Sequence, residues 1–279
     1  MRYVDRELIG TLLPRRKRDT HKGDYGKVLL LCGSRGFTGA AALAVRGALR
    51  TGAGLVYLGV PESIYAIEAV KLTEPVIFPL PDEGGMLSSL ACDEIRKYLP
   101  KMDAVVFGCG TGIGPGTEEI LRMLLKETDC PIVLDADGIT LVSRHKDILR
   151  SRTSPTLLTP HDGEFARLDP CGGDRVEETM AMARELGCVI LRKGCRTLVT
   201  DGNECWENTA GNPGMATGGS GDVLAGIIVS LLGQGLDPVL AAACGAWLHG
   251  RAGELCAEKL GEYGMLPGDL VEELPRLLK

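Results

Sequence analysis

The chain has 279 residues, 44% of them hydrophobic, and a formal net charge of −6. That acidic balance lacks the basic footprint that nucleic-acid binding needs, and no run of eighteen or more apolar residues offers a membrane-spanning helix. The start, MRYVDRELIGTLLPRRKRD, has no apolar stretch of the kind a secretory signal carries, and its basic run Arg15–Arg18 reads as a solvated segment. None of the ten cysteines forms a C-x-x-C pair, and Cys32, Cys188 and Cys244 lie within apolar segments, where a thiol behaves as a small hydrophobe. A soluble, reduced, cytoplasmic protein is the expectation.

Short apolar runs at Val28–Cys32, Leu55–Val60, Val76–Leu80, Ala104–Phe107, Ile132–Leu134, Thr156–Leu158 and Val189–Leu191 predict buried strands. Amphipathic segments between them predict helices over Gly39–Thr51, Leu87–Leu99, Thr117–Glu127, Gly163–Leu168 and Glu177–Leu186. Thr197–Thr200 and Glu204–Asn208, joined by Asp201-Gly202-Asn203, predict a hairpin. From Asp222 onward the spacing is helical, over Val223–Leu232, Pro238–Lys259 and Pro267–Leu278. Strand–helix alternation of this kind gives an α/β fold with a mostly parallel sheet covered on both faces. One domain over residues 1–279, with residues 1–20 as an N-terminal extension, is the simplest division.

Ligands of such sheets sit beyond the carboxyl ends of the strands. The polar, glycine-rich segments follow that rule as a set: GSRGFTG after the first predicted strand, GCGTGIGPG after the fourth, DADG after the fifth, TPHDGE after the sixth and RKGCRT after the seventh. The most informative segment is TAGNPGMATGGSGDVL, Thr209–Leu224, in which Gly218-Gly219-Ser220-Gly221-Asp222 runs straight into an apolar helical stretch. Glycines allow close approach of a ligand, and the unpaired N–H groups of a first helical turn attract phosphate. A carboxylate beside bound phosphate repels it, so Asp222 is out of place for simple anion binding. It is either an acid placed at a helix N-terminus for the dipole or a general base beside an anion hole. Asp135 and Asp137 have the same two readings, as metal-shell carboxylates or as caps. Asp162 is a candidate N-cap, and Glu164 a first-turn acid able to reach Mg²⁺ and phosphate through water. His161, in a strand-end loop, is placed to donate to a ligand oxygen. Lys193 to Thr197 offers cationic groups and a flexible turn to phosphates.

Familiar alternatives are missing. Gly33, Gly36 and Gly39 lack the dinucleotide fingerprint spacing, no Walker P-loop is present, and there is neither a G-x-S-x-G elbow nor a zinc-spaced His/Cys cluster. His21 precedes the first predicted strand, while His145 reads as a surface residue and His249 as a packed helix residue.

Taken together, HKGDYGKVLLLCGS, GFTGAAALA, ALRTGAGLV, GCGTG, VLDADG, LTPHDGEF, RKGCRT and NPGMATGGSGDVLAG resemble, in order, the ADP/ATP-dependent NAD(P)H-hydrate dehydratases, from about His21 to the C-terminus. The resemblance implies a ribokinase-like three-layer αβα sandwich. It also implies dehydration of the S epimer of hydrated NADH or NADPH (NADHX or NADPHX) at the expense of ADP or ATP with Mg²⁺, ADP being the expected co-substrate. Phosphorylating the ring hydroxyl turns a poor leaving group into a good one, which explains a kinase fold on a dehydratase. By the same resemblance Asp222 is the base, and the N–H groups around Gly219, Ser220 and Gly221 form the anion hole. Ala41, Gly110 and His161 contact the hydrated nicotinamide nucleotide, Lys193, Gly194, Cys195, Arg196, Thr197 and Gly221 contact the adenine nucleotide, and a homo-oligomer, such as a homotetramer, is common. Ser220 stands where many members have Thr, which keeps the hydroxyl. Bifunctional members carry an epimerase domain in front, for which the residues before His21 are too few, so a stand-alone dehydratase working beside a separate epimerase is expected. The rivals are a small-molecule kinase of the same superfamily and a non-catalytic nucleotide sensor.

Overall fold

The structure is a computed structural model that describes residues 1–278. Its strands are β1 (Arg2–Tyr3), β2 (Lys27–Leu31), β3 (Leu55–Pro61), β4 (Val76–Leu80), β5 (Asp82–Glu83), β6 (Met86–Leu87), β7 (Ala104–Phe107), β8 (Ile132–Leu134), β9 (Thr156–Leu158), β10 (Val189–Arg192), β11 (Thr197–Thr200) and β12 (Cys205–Asn208). Its helices are α1 (Arg6–Leu12), α2 (Thr38–Arg50), α3 (Glu62–Lys71), α4 (Ala91–Tyr98), α5 (Pro115–Glu127), α6 (Asp137–Val142), α7 (Lys146–Ser151), α8 (Asp162–Ala166), α9 (Arg175–Leu186), α10 (Ser220–Gly233), α11 (Pro238–Leu260) and α12 (Pro267–Leu277).

Ten strands form one sheet in the order β1-β12-β11-β10-β9-β8-β7-β2-β3-β4, and only β11 runs against the rest. The continuous apolar strands have two buried faces because side chains alternate. Val28, Leu30, Val106, Val133 and Leu157 face the layer of α2, α10, α11 and α12. Leu29, Leu31, Phe107, Leu134 and Leu158 face the layer of α4, α5 and α9. These are the two outer layers of an αβα sandwich, as expected.

Three features depart from the sequence expectation. The helix expected from Leu87 starts only at Ala91, because β5 and β6 pair antiparallel around Gly84 and Gly85, both at positive φ, in a two-residue turn that only such residues make easily. Helix α3 lacks a clean helical pattern in the sequence because its apolar residues are split between core and solvent: Ile64 is buried while Val70 is 86% exposed. The N-terminal extension belongs to the sheet, where β1 pairs with β12, and α1 places Ile9 in the core.

The tightest helix crossing fixes the site. A Cβ at Gly226 of α10 would overlap the Ala44 carbonyl oxygen of α2, and one at Gly47 would stand 2.6 Å from the Val223 carbonyl oxygen. These glycines let the two backbones touch, which holds the first turn of α10 against the loop leading into α2. Gly226→Ala is therefore expected to destabilise by about 1–3 kcal/mol through overpacking, although helix propensity alone favours Ala by about 1 kcal/mol. Urea denaturation of the two proteins measures it; a more stable variant would show that the crossing is looser than described.

Candidate active site

Helix α10 begins where the chain turns through Gly219, which has φ of +99° and whose added Cβ would stand 2.6 Å from Leu43 Cδ1. Only glycine meets both conditions easily. Ser220 N–H makes a long 3.4 Å bond to the Thr217 carbonyl, and the helix ladder starts with Val223 N–H on Gly219. The intervening first-turn N–H groups open toward the cavity end of the helix, as an anion site requires.

Asp222 lies one residue further and is mostly withdrawn from water. Its pKa is pushed up to about 7, first by burial and then by the negative charge of Asp135; the Cys109 thiol and the Lys193 ammonium oppose the shift. Asp135 follows β8, is 2% exposed, and accepts from Thr159 Oγ1 at 2.6 Å and Lys193 Nζ at 2.8 Å. Single donor atoms of Cys109, Asp135 and Asp222 lie within 4.8 Å of one another. Ala136, which carries the chain from Asp135 to Asp137, is a non-glycine residue at φ +49°, a strained conformation of the kind functional sites hold. Asp137 accepts from Gly112 N–H at 2.9 Å, tying the Gly110–Gly112 loop to this corner. Burial raises the pKa of Asp137.

Lys193 follows β10 and reaches Asp135 at 2.8 Å and Glu164 at 3.5 Å. Burial alone would depress its pKa, but the two carboxylates outweigh burial and raise it, so it stays a cation. Glu164 is buried and closes a capping box by accepting from His161 N–H at 2.9 Å. The N-cap of α8 is His161, whose Nδ1 accepts from Gly163 and Glu164 N–H at 3.0 and 3.2 Å, while its Nε2 lies 3.4 Å from Glu164 Oε1. Asp162, the expected cap, instead pairs with Arg192 Nε at 2.7 Å.

Beside these groups lies a cavity of about 850 Å³ whose wall includes His161, Lys193, Gly194, Cys195, Thr197, Ser220 and Gly221, while Asp222, Asp135, Asp137 and Glu164 are not part of that wall. Such a volume suits a nucleotide-sized ligand. Three expected contacts are not on this wall. Ala41 has no exposed surface, because its Cβ packs beneath Gly33, so it presents no side chain to a ligand. Arg196 is absent from the cavity wall, because Glu207 holds its guanidinium through two bonds of 2.6 and 2.8 Å. Gly110 is at φ +64° against Phe37 and Ala40, away from the cavity wall but joined through Cys109 to the Asp222 corner. Sequence reasoning missed His249: it lines the cavity with Nε2 3.2 Å from Ser220 Oγ, and burial lowers its pKa to about 4. Its place in a mainly apolar helix gave no signal. Asn208, at the end of β12, also lines the cavity.

A partly buried acid beside a glycine-rich helix start, at the carboxyl edge of a parallel sheet, is set in a ribokinase-like α/β fold, which superposes on a solved ribokinase-like superfamily protein of Enterococcus faecalis with a TM-score of 0.87 at 28% identity, covering 99% of this chain and 95% of that one. The family model described as NAD(P)H-hydrate dehydratase matches residues 28–276. The chain belongs to the NAD(P)H-hydrate dehydratase family. It is 44% identical over 275 residues to the bifunctional NAD(P)H-hydrate repair enzyme Nnr of Moorella thermoacetica, covering 96% of this chain and 52% of that protein. It therefore spans about half the length of the bifunctional relatives it matches. It is 32% identical to the ADP-dependent (S)-NAD(P)H-hydrate dehydratase of Listeria monocytogenes, covering 100% of this chain and 97% of that one. The structure of the ADP/ATP-dependent NAD(P)H-hydrate dehydratase of Bacillus subtilis, co-crystallised with ATP and Mg²⁺, superposes with a TM-score of 0.84 at 29% identity, covering 99% of this chain and 97% of that one.

The raised Asp222 pKa has a stability consequence. The unfolded chain loses this proton near 3.8 and the folded protein only near 7, so the stability it contributes is present below pH 3.8 and is lost as pH rises through 7. Asp222→Asn, which mimics the protonated acid, should raise stability on the order of 3 kcal/mol at pH 8 and have little effect at pH 4. Thermal unfolding at the two pH values checks this; equal Tm differences at both would mean that Asp222 ionises like an exposed carboxylate.

Proposed function

We propose that the protein dehydrates the S epimer of hydrated NADH or NADPH back to NAD(P)H, using ADP and releasing AMP and phosphate. The observation that carries this is Asp222, a carboxyl whose pKa is raised to about 7 at the first turn of α10, sharing a corner with Asp135 and Cys109 and following directly on Gly221 of the cavity wall. A general base works best when its pKa lies near the operating pH. The names of the relatives support the substrate, and the fit of a nucleotide-sized cavity supports the co-substrate.

In this reading Asp222 takes the proton of the nicotinamide-ring hydroxyl as that oxygen attacks the terminal phosphorus of the nucleotide. The N–H groups around Gly219, Ser220 and Gly221 receive the charge on the transferred phosphoryl group, as an oxyanion hole does. Phosphate then leaves the substituted ring carbon with its bonding electron pair, the neighbouring ring carbon gives up a proton to water, and the double bond formed between them restores the dihydronicotinamide. Lys193 holds Asp135 and Glu164 in place and brings a positive charge to the phosphate side of the cavity. His161, on the cavity wall, binds the substrate.

The corner fits Mg²⁺. Asp135 and Glu164 contact Lys193, and Asp222 and Asp137 lie near enough to Asp135 to feel its charge, an oxygen-rich set that would suit a hydrated divalent cation, with Glu164 reaching it through water. Bound there with the nucleotide, the ion would offset phosphate charge. Ten free cysteines suit a reducing compartment such as the cytoplasm. We also expect a homo-oligomer and a functional partnership with a separate epimerase for the R epimer.

Recovery of reduced-nicotinamide absorbance from the S epimer with Mg²⁺, with ADP and ATP supplied in parallel, tests the reading. Recovery that depends on nucleotide, and is faster with ADP, is expected. A phosphorylated nicotinamide nucleotide that accumulates without recovery would make the protein a kinase, and nucleotide binding without either product would make it a sensor. Asp222→Asn is expected to retain ADP affinity and to slow turnover by about 10²–10⁴; turnover within a few-fold of the parent would remove Asp222 from the mechanism.

A further inference from the structure

His249 is a half-buried imidazole on the cavity wall for which the proposed reaction has no direct use, yet it touches the hydroxyl at the start of α10. Its Nε2 lies 3.2 Å from Ser220 Oγ, and both residues line the cavity beside Gly221 and Lys193. Backbone packing sets this contact. A Cβ at Gly245 of α11 would stand 2.7 Å from Ile228 Cγ1 of α10, and one at Gly250 would overlap the Ala210 carbonyl oxygen. Helix α11 is thus pressed against both α10 and the chain leaving β12. Asn208 Nδ2 fastens the same turn of α11 by donating to the Ala246 carbonyl at 3.2 Å. The ring on the next residues of that turn has little freedom to leave Ser220.

The direction of the Ser220–His249 hydrogen bond decides what Ser220 offers a ligand. A serine hydroxyl has one hydrogen and two acceptor lone pairs. With that hydrogen on His249, the side chain presents only lone pairs to the cavity, and lone pairs repel phosphate oxygens. With the bond reversed, the hydroxyl hydrogen faces the cavity and joins the backbone donors. Burial keeps the ring neutral at pH 7, so it carries a single N–H, on one nitrogen or the other.

We propose that His249 is a positioning residue for the anion hole: its Nε2–H donates to Ser220 Oγ, and this turns the Ser220 hydroxyl hydrogen toward the phosphoryl group being transferred. The phosphoryl role rests on the dehydratase reading above, whereas the tautomer and the direction of the bond do not.

Two measurements test it. In ¹⁵N-histidine-labelled protein without ligand, His249 should be the neutral Nε2–H tautomer, with an Nε2 proton signal that moves in Ser220→Ala; an Nδ1–H tautomer overturns the proposal. With ADP, Mg²⁺ and the S epimer, His249→Ala should lower kcat by about 10-fold or more, a fraction of what loss of an oxyanion donor costs, with ADP affinity within about 2-fold of the parent. In a Ser220→Ala background the same substitution should change kcat by less than about 2-fold, because the group it positions has gone. Equal effects in the two backgrounds would contradict the proposal. If His249→Ala does not fold, His249→Gln, whose side-chain amide can donate to Ser220, is carried through the same cycle and should retain more activity than His249→Leu; equal losses in the two would contradict it. Failure of the parent protein to use nucleotide would overturn the dehydratase reading alone, since the tautomer is read without substrate.

Discussion

Burying a carboxyl beside another carboxyl is costly, and the site is organised around that cost. Asp222 and Asp135 face one corner with Cys109 between them, and Lys193 is the cation that makes the pair tolerable. Without Lys193, Asp135 would have only Thr159 and the weak thiol as hydrogen-bond partners for a charge taken out of water. Lys193 bonds directly to Asp135, whereas Asp222, withdrawn from water and beside Asp135, has its pKa raised to about 7. Placing the ammonium on one of two neighbouring carboxyls is a general way of setting them to different tasks.

The scaffold supplies this corner from separate parts of the chain. Strands β8, β9 and β10 deliver Asp135, Thr159 and Lys193 at their carboxyl ends, which are neighbours because the strands are parallel and adjacent. Helix α10 delivers Asp222 from the far side, and its approach is set by the glycine contact with α2. The parallel sheet thus fixes three partners in register while one close helix crossing fixes the fourth. A small error in that crossing would move Asp222 and the first-turn N–H groups together.

Much of the fold is legible in the amino-acid sequence, because a strand buried on both faces must be apolar throughout, as Val28–Leu31 and Ala104–Phe107 are. The glycine-rich start of α10 is equally plain, since positive φ at Gly219 and an adjacent acid leave a local signature. Less legible is whatever depends on neighbours distant in sequence. Nothing near Arg196 reveals that Glu207, on the opposite strand of the hairpin, will take its guanidinium. Nothing near Ala41 shows that it will lie under Gly33, or near His249 that α11 will bring it to Ser220. Asp162 looked like a cap because its residue type favours that role, but the chain gives the position to His161 and uses Asp162 for Arg192. Local chemistry is written locally; convergence is written in the topology.

The central claim is that Asp222 keeps its proton until near neutral pH and so serves as a base poised for the operating range. A ¹³C NMR titration of the Asp222 carboxyl, assigned by its loss in Asp222→Asn, tests this most directly. The account predicts a midpoint near 7, several units above an ordinary aspartate. A midpoint near 4 would mean that the corner does not hold the proton, and the base would have to be sought elsewhere.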